Sequence, residues 1–248
     1  MKRLTVGLRL ILILLCMTSI AIAGEKTHWG YSGHEGPEHW GELDPEYSFC
    51  AEGKNQSPVN LTGMIESDLL PIAINYKSGG NEIVNNGHTI QLNYTPGSAI
   101  EVNGHEFELK QFHFHSPSEN TIEGQSFPME AHFVHADKDG NLAVIAVMFK
   151  AGDKNTELEK AWVHMPATAG GKDVLPMSAD ANKLLPHDRD YYRFNGSLTT
   201  PPCSEGVWWL VMKDFQIASK EQIDKFANTM HGPNNRPVQP TNARVILK

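Results

Sequence analysis

From residue 72 onward, apolar and polar positions alternate along much of the chain. Ile72-Ala-Ile-Asn-Tyr76, Thr89-Ile-Gln-Leu-Asn-Tyr94 and Phe107-Glu-Leu-Lys-Gln-Phe-His-Phe-His115 keep a period of two, or nearly so. That is the signature of strands with one face on a core. Two further strand-like runs follow, Ala131-His-Phe-Val-His135 and the apolar Leu142-Ala-Val-Ile-Ala-Val-Met-Phe149. Turn signals separate these runs at Asn86-Gly87, Asn103-Gly104 and Asp137-Lys-Asp-Gly140, the last a hairpin signal. Helical text is sparse, at Glu157 to Val163 and at Lys220 to Met230. The second begins with Ser219-Lys-Glu-Gln222, an N-cap followed by an N3 glutamine. Residues 24–60 are rich in Gly, Pro, Trp and His with little periodicity, and read as an irregular segment lying on the core. The pattern predicts one sheet-dominated α+β domain with antiparallel pairing and helices at the periphery.

The N-terminus reads differently. Lys2, Arg3 and Arg9 precede an apolar stretch from Leu10 to Met17, and Ala21-Ile-Ala23 is a small-x-small cleavage pattern. Residues 1–23 are therefore expected to be a signal peptide and residues 24–248 the mature domain. The alternative is a retained anchor, although the apolar stretch is short for a membrane span. Bulky Leu15 before Cys16 argues against lipidation there. Cleavage removes three positive charges from a chain of formal charge −8, leaving −11. That balance argues against nucleic acid and against an anionic membrane surface as partners. Only Cys50 and Cys203 remain after cleavage, and an exported pair suggests one disulfide. Two buried free thiols are the alternative.

Candidate chemistry centres on histidine. His113 and His115 are two apart in a strand-like run, so they share a face while Phe112 and Phe114 point into the core. His132 lies on a later strand. If the strands pair, three imidazoles converge, and three protein ligands with one open position is the catalytic zinc arrangement. A chain with 12 histidines also produces such a pair by chance. Gln111 on the face of His113 and Glu130 on the face of His132 supply the partners that metal-bound imidazoles usually need.

Three blocks then carry a resemblance. Gln111-Phe-His-Phe-His-Ser-Pro-Ser-Glu119, Glu130-Ala-His-Phe-Val-His135 and Gly196-Ser-Leu-Thr-Thr-Pro-Pro-Cys-Ser-Glu205 resemble the signature blocks of α-class carbonic anhydrases. Trp29-Gly-Tyr31, Gly36-Pro-Glu-His-Trp40, Asn55-Gln-Ser-Pro-Val59, Asn85-Asn-Gly-His88 and Asn235-Arg-Pro-Val-Gln-Pro240 resemble others, in family order across nearly the whole mature chain. The signal peptide and the cysteine pair resemble the exported bacterial branch. Asn120 is a departure, since many members carry histidine there; asparagine still donates and accepts, so a local change of hydrogen bonding is expected.

The resemblance implies a large, mostly antiparallel twisted sheet of about ten strands with peripheral helices, the α-carbonic anhydrase fold. It implies zinc held by His113, His115 and His132, and reversible hydration of CO2 to bicarbonate and a proton by a hydroxide generated at the metal. Thr199 and Glu119 match the pair that orients this nucleophile, and His88 matches the proton shuttle, at a turn where it is expected to swing. Tyr31, Asn86 and Gln91 match positions that order the connecting waters. Val134, Val144, Leu198, Val207 and Trp209 match the apolar wall for CO2, and Thr200 the bicarbonate contact. Gln111, Glu130 and the backbone carbonyl of Asn234 match the outer partners of the ligands. Sulfonamide and anion inhibitors and a periplasmic or secreted location are implied as well, and a homodimer is a further expectation. A zinc-free, carbonic-anhydrase-like binding protein is the competing reading; such relatives typically lack a ligand histidine, and all three are present here. A different zinc hydrolase is a second, but no His-Glu-x-x-His helix exists in the chain.

Overall fold

A computed structural model describes residues 27–248, so the expected signal peptide and its cleavage site lie outside the described residues. The described residues form thirteen strands, four short α-helices and three single-turn 3-10 helices. The strands are β1 (Asn60–Leu61), β2 (Ala73–Asn75), β3 (Gly80–Asn85), β4 (Ile90–Tyr94), β5 (Ala99–Val102), β6 (His105–His115), β7 (Thr121–Ile122), β8 (Met129–Ala136), β9 (Leu142–Ala151), β10 (Lys172–Ala179), β11 (Tyr191–Ser197), β12 (Glu205–Met212) and β13 (Gln216–Ala218). The helices are α1 (Trp40–Leu43), α2 (Phe49–Glu52), α3 (Thr156–Trp162) and α4 (Lys220–Thr229).

Eleven strands form one sheet in the order β10-β3-β4-β6-β8-β9-β12-β11, with β5 pairing β6, β2 pairing β5 and β13 running beside β9. Pairing is antiparallel except where β12 and β13 meet β9. The three turn signals fall between β3 and β4, β5 and β6, and β8 and β9, as the alternation predicts. At the last, the Asp137 carboxylate accepts the Asp139 and Asn141 N–H groups, and Gly140 takes a φ of 85°. Strands β10, β11 and β12 were not marked by alternation. β10 is an edge strand of mixed polarity, and β12 is a near-continuous apolar run buried between β9 and β11.

The two faces of the sheet carry separate apolar clusters. One holds Phe112, Phe114, Phe133, Phe149, Trp162 and Phe226. The other holds Val144, Ala146, Val207, Trp209 and Val211, with Val134 and Leu198 packed against it. α4 begins with the expected capping box, in which the Ser219 hydroxyl accepts the Gln222 N–H and the Gln222 side chain accepts the Ser219 N–H. The 24–60 segment, described from Thr27, lies on the core as expected, through a third cluster of Trp40, Tyr47, Cys50 and Cys203 with Trp29 and Tyr31.

His135 is the one fully buried histidine on the face opposite the three candidate ligands. Its Nδ1 faces the Ala143 carbonyl at 3.1 Å and its Nε2 meets the Tyr76 hydroxyl at 2.5 Å. Both ring nitrogens are thus used by the neutral imidazole, and burial pushes its pKa down to about 4. A lowered histidine pKa stabilises the fold fully above the ordinary value of about 6.5, and the contribution is lost as pH falls toward the folded value. We therefore expect wild type to lose about 2–3 kcal/mol more than His135→Gln between pH 7 and pH 4.5, read from urea unfolding of both proteins. Equal losses would show that His135 does not titrate with unfolding.

Candidate metal centre

β6 and β8 are antiparallel neighbours, and their register sets His113 directly opposite His132 and His115 opposite Glu130. The alternation that buries Phe112 and Phe114 on one face projects His113 and His115 from the other. The imidazoles meet with centroid separations of 5.1 Å (His113–His115), 5.4 Å (His113–His132) and 4.6 Å (His115–His132). One nitrogen from each ring lies within 4.8 Å of the others.

Each ring uses its other nitrogen. His113 Nδ1 faces Gln111 Oε1 at 2.9 Å, His115 Nδ1 the Asn234 carbonyl at 2.7 Å, and His132 Nε2 Glu130 Oε1 at 2.9 Å. Three acceptors therefore fix three tautomers, leaving Nε2, Nε2 and Nδ1 with lone pairs directed inward. Burial holds all three pKa values below the usual histidine value, with mutual repulsion adding at His113 and His132. Neutral imidazole is the form that binds a metal. His115 Nε2 is buried with no hydrogen-bond partner, an orphan that a cation would satisfy. Three neutral nitrogens with an open side fit zinc in its catalytic coordination.

Glu130 is the anchor of the outer shell. Its carboxylate accepts from the Glu119 N–H (2.7 Å), the Asn120 N–H (2.9 Å), the Asn120 side-chain amide (2.7 Å) and His132. Burial pushes its pKa up to about 7, and the Asn120 donors pull the other way. Asn120 is fully buried, and its carbonyl oxygen accepts the Val59 N–H at 3.1 Å. It both donates and accepts, as expected of this departure from the family pattern.

Glu119 Oε1 accepts the Arg236 backbone N–H at 2.8 Å. Oε2 lies 3.5 Å from His115 Nε2 and 3.8 Å from His132 Nδ1 and closes no hydrogen bond. Burial pushes this carboxyl up to about 8, opposed by the Arg236 N–H and by the nearby Thr199 hydroxyl. Thr199 is buried in the turn between β11 and β12, and the Thr200 carbonyl there accepts the Cys203 N–H. Val134, Val144, Leu198, Val207 and Trp209 gather in the apolar cluster on the histidine side, with the Trp209 ring edge-on to His132 at 4.9 Å.

The remaining candidates lie toward the rim. His88 does not stand free at its turn. Its ring stacks on Trp29 at 3.7 Å with 6° between planes, because the irregular 27–31 segment covers the β3–β4 turn. Its N–H donates to Asn86 Oδ1 and its carbonyl accepts from the Asn234 side chain. Burial, with His28 nearby, lowers its pKa. Tyr31 OH is buried without a protein partner, and burial plus the charge of Glu119 raise its pKa well above the usual value. Asn86 spends its amide oxygen on the turn, and Gln91 donates to Asn93 Oδ1 at 2.6 Å. Cys50 and Cys203 form a disulfide, which excludes the alternative of free thiols. Sequence reasoning missed Arg236, Gln56 and Ser57, which are buried behind Glu119 and Thr199; only the short blocks containing them were noticed.

A large, mostly antiparallel sheet carrying three converging histidines defines a fold with a candidate site for one metal ion. The sequence model described as eukaryotic-type carbonic anhydrase matches residues 35–248. A carbonic anhydrase of Neisseria gonorrhoeae is 51% identical over 240 residues, covering 96% of this chain and 95% of that protein. The solved α-carbonic anhydrase of Thermovibrio ammonificans, in complex with sulfanilamide, is 53% identical with a TM-score of 0.88, covering 90% of this chain and 100% of that one. A hyperthermostable carbonic anhydrase from an active hydrothermal vent chimney is 59% identical with a TM-score of 0.87, covering 89% and 99%. The chain belongs to the α-carbonic anhydrase family, enzymes whose general activity is the hydration of CO2.

The disulfide closes a loop of 153 residues' separation. By loop-entropy reasoning, replacing both cysteines with alanine should lower unfolding free energy by about 2–5 kcal/mol. The urea midpoints of the oxidised wild type and the double variant measure this directly.

Proposed function

We propose that the mature protein is an exported zinc enzyme that interconverts CO2 and bicarbonate. The observation that carries this reading is the convergence of three neutral imidazoles, each with its second nitrogen engaged, beside Glu119 and an apolar wall. His113 Nε2, His115 Nε2 and His132 Nδ1 would hold the metal. Zinc bound there supplies the Lewis acidity that makes hydroxide available near neutral pH.

The chain's own groups do the rest. A threonine hydroxyl has one proton to give. Given as a hydrogen bond to Glu119, which a cation held by the histidines would keep ionised against the upward push of burial, it leaves the Thr199 oxygen free to accept a hydrogen bond from the nucleophile, which aims a lone pair at the substrate. Val134, Val144, Leu198, Val207 and Trp209 exclude water from the place where apolar CO2 waits, and Thr200 meets bicarbonate. His88 carries the product proton outward, since an imidazole can both take up a proton and give it away; burial, with His28 nearby, favours the release half by lowering its pKa. Tyr31, Asn86 and Gln91 order the path between them. Asn86 and Gln91 would serve through what their existing hydrogen bonds leave over. The complex of the Thermovibrio ammonificans relative with sulfanilamide supports sulfonamide binding at the same cup, and the open position supports anion inhibition. The disulfide supports a periplasmic or secreted location after cleavage at Ala23, and no helix among the described residues is long and apolar enough to cross a membrane. The acidic balance supports no nucleic-acid partner; homodimerisation is part of this reading only through the bacterial branch that the chain resembles.

Metal analysis of the folded protein should find one zinc per chain, and CO2 hydration should be inhibited by sulfanilamide. His132→Ala should lose the zinc and more than about a thousandfold in activity. Full activity in zinc-free protein would overturn the reading. For the proton path, His88→Ala should slow kcat about tenfold or more in weak buffer while leaving kcat/KM near wild type, with added imidazole restoring part of the loss. Stopped-flow hydration at several buffer concentrations checks this, and an absence of restoration would point to another exit route.

A further inference from the structure

Arg236 is 1% exposed, yet no carboxylate lies within ion-pair distance of its guanidinium among the described residues. Nη1 and Nη2 donate instead to neutral oxygens, and Nε is buried with no hydrogen-bond partner. Nη1 donates to Gln56 Oε1 and to the Ser57 carbonyl, both at 2.8 Å, and Nη2 to the Cys50 carbonyl at 2.9 Å. The ring of Trp40 lies 5.7 Å from the guanidinium. A buried charge without a counter-ion in contact is a poor device for stability alone, because desolvation opposes it. What this one achieves is placement, since the backbone N–H of the same residue is the donor to Glu119 Oε1.

The acceptors of Arg236 lead to the other half of the pair. The Gln56 amide, having accepted from Arg236, donates through Nε2 to the Cys203 carbonyl at 3.0 Å and to Glu205 Oε1 at 3.1 Å. Ser57 and Ser197 exchange hydrogen bonds, each backbone N–H donating to the other's hydroxyl, at 2.9 and 3.1 Å. Thr199 lies between Ser197 and Cys203, so both ends of its turn are tied to the segment that Arg236 grips. Neighbours impose this turn on the chain. Cys203 holds a φ of 58°, a left-handed value uncommon for a residue with a side chain. A Cβ at Gly196 would run into the Ser57 hydroxyl, so the approach of the two segments needs glycine there.

We infer that Arg236, working through Gln56, is a positioning residue that sets the Thr199 hydroxyl against the Glu119 carboxylate, an inference that rests on the pair proposed above. One guanidinium thereby fixes both members from behind. An error of about 1 Å in such a pair is enough to cost up to a hundredfold in rate.

A double-mutant cycle on the zinc-loaded full chain tests it. Gln56→Ala should lower kcat/KM for CO2 hydration about tenfold when Thr199 is present, and by less than about twofold in a Thr199→Ala background. Arg236→Lys, which keeps the charge and loses the fork, should follow the same pattern; if it does not fold, Gln56→Ala decides. A second readout is independent of activity. Hydrogen exchange at the Arg236 backbone N–H should quicken about tenfold in Gln56→Ala while amides of β6 and β8 stay protected. Equal losses in both backgrounds, or no loss from Gln56→Ala, would overturn the positioning role. Thr199→Ala with near wild-type activity would instead sink the pair, and the inference with it, so the two failures are told apart.

Discussion

Everything in the site depends on the register of β6 against β8. Side chains on a strand alternate, so a slip of one residue would turn one strand over relative to the other. Either Phe112 and Phe114 or Phe133 would leave the core, and the imidazoles of that strand would enter it. Each of those phenylalanines is fully buried, and truncating one such side chain costs about 3–5 kcal/mol. The core therefore holds the register far more firmly than the histidines could. The convergence of His113, His115 and His132 follows from burying the residues between them.

Register places an imidazole without aiming it. Aiming falls to the acceptors behind each ring: Gln111 and Glu130 stand two residues before His113 and His132 on the same strands, and the Asn234 carbonyl comes from the segment after α4. Glu130 does more than orient His132. Its other three donors come from Glu119 and Asn120, so the carboxylate that aims a ligand also pins the backbone of the residue paired with Thr199. A buried carboxylate is tolerable only when it is fully hydrogen-bonded, and four donors meet that condition. Asn120 preserves it in place of the histidine common in the family.

Period-two text, three turn signals and the α4 cap were legible because each is local. The histidine cup was legible as a shared face on one strand plus a conditional third member; only pairing could close it. The wall residues Val207 and Trp209 carried no pattern of their own, since β12 reads as a continuous apolar run, and family resemblance alone marked them. Arg236 was invisible for a different reason. Its bonds to Gln56 and Ser57 span about 180 residues of sequence, and no periodicity encodes a contact of that range. The stacking of His88 on Trp29 was hidden in the same way. A turn motif reports local freedom, and a distant aromatic ring can remove it.

Asn234 shows how the rim and the interior are joined. Its carbonyl accepts from the ring of His115, its side-chain amide donates to the carbonyls of Phe114 and His88, and its side-chain oxygen accepts the Ser116 N–H. One residue thus fixes the orientation of a candidate ligand and the backbone position of the candidate proton carrier. The His88 backbone is held by Asn86 on one side and Asn234 on the other, so motion of this residue is confined to its side-chain torsions against the face of Trp29. In the proposed role, His88 would carry a proton from a backbone held in place relative to the cup, its ring turning away from Trp29 while the interior groups keep their placement.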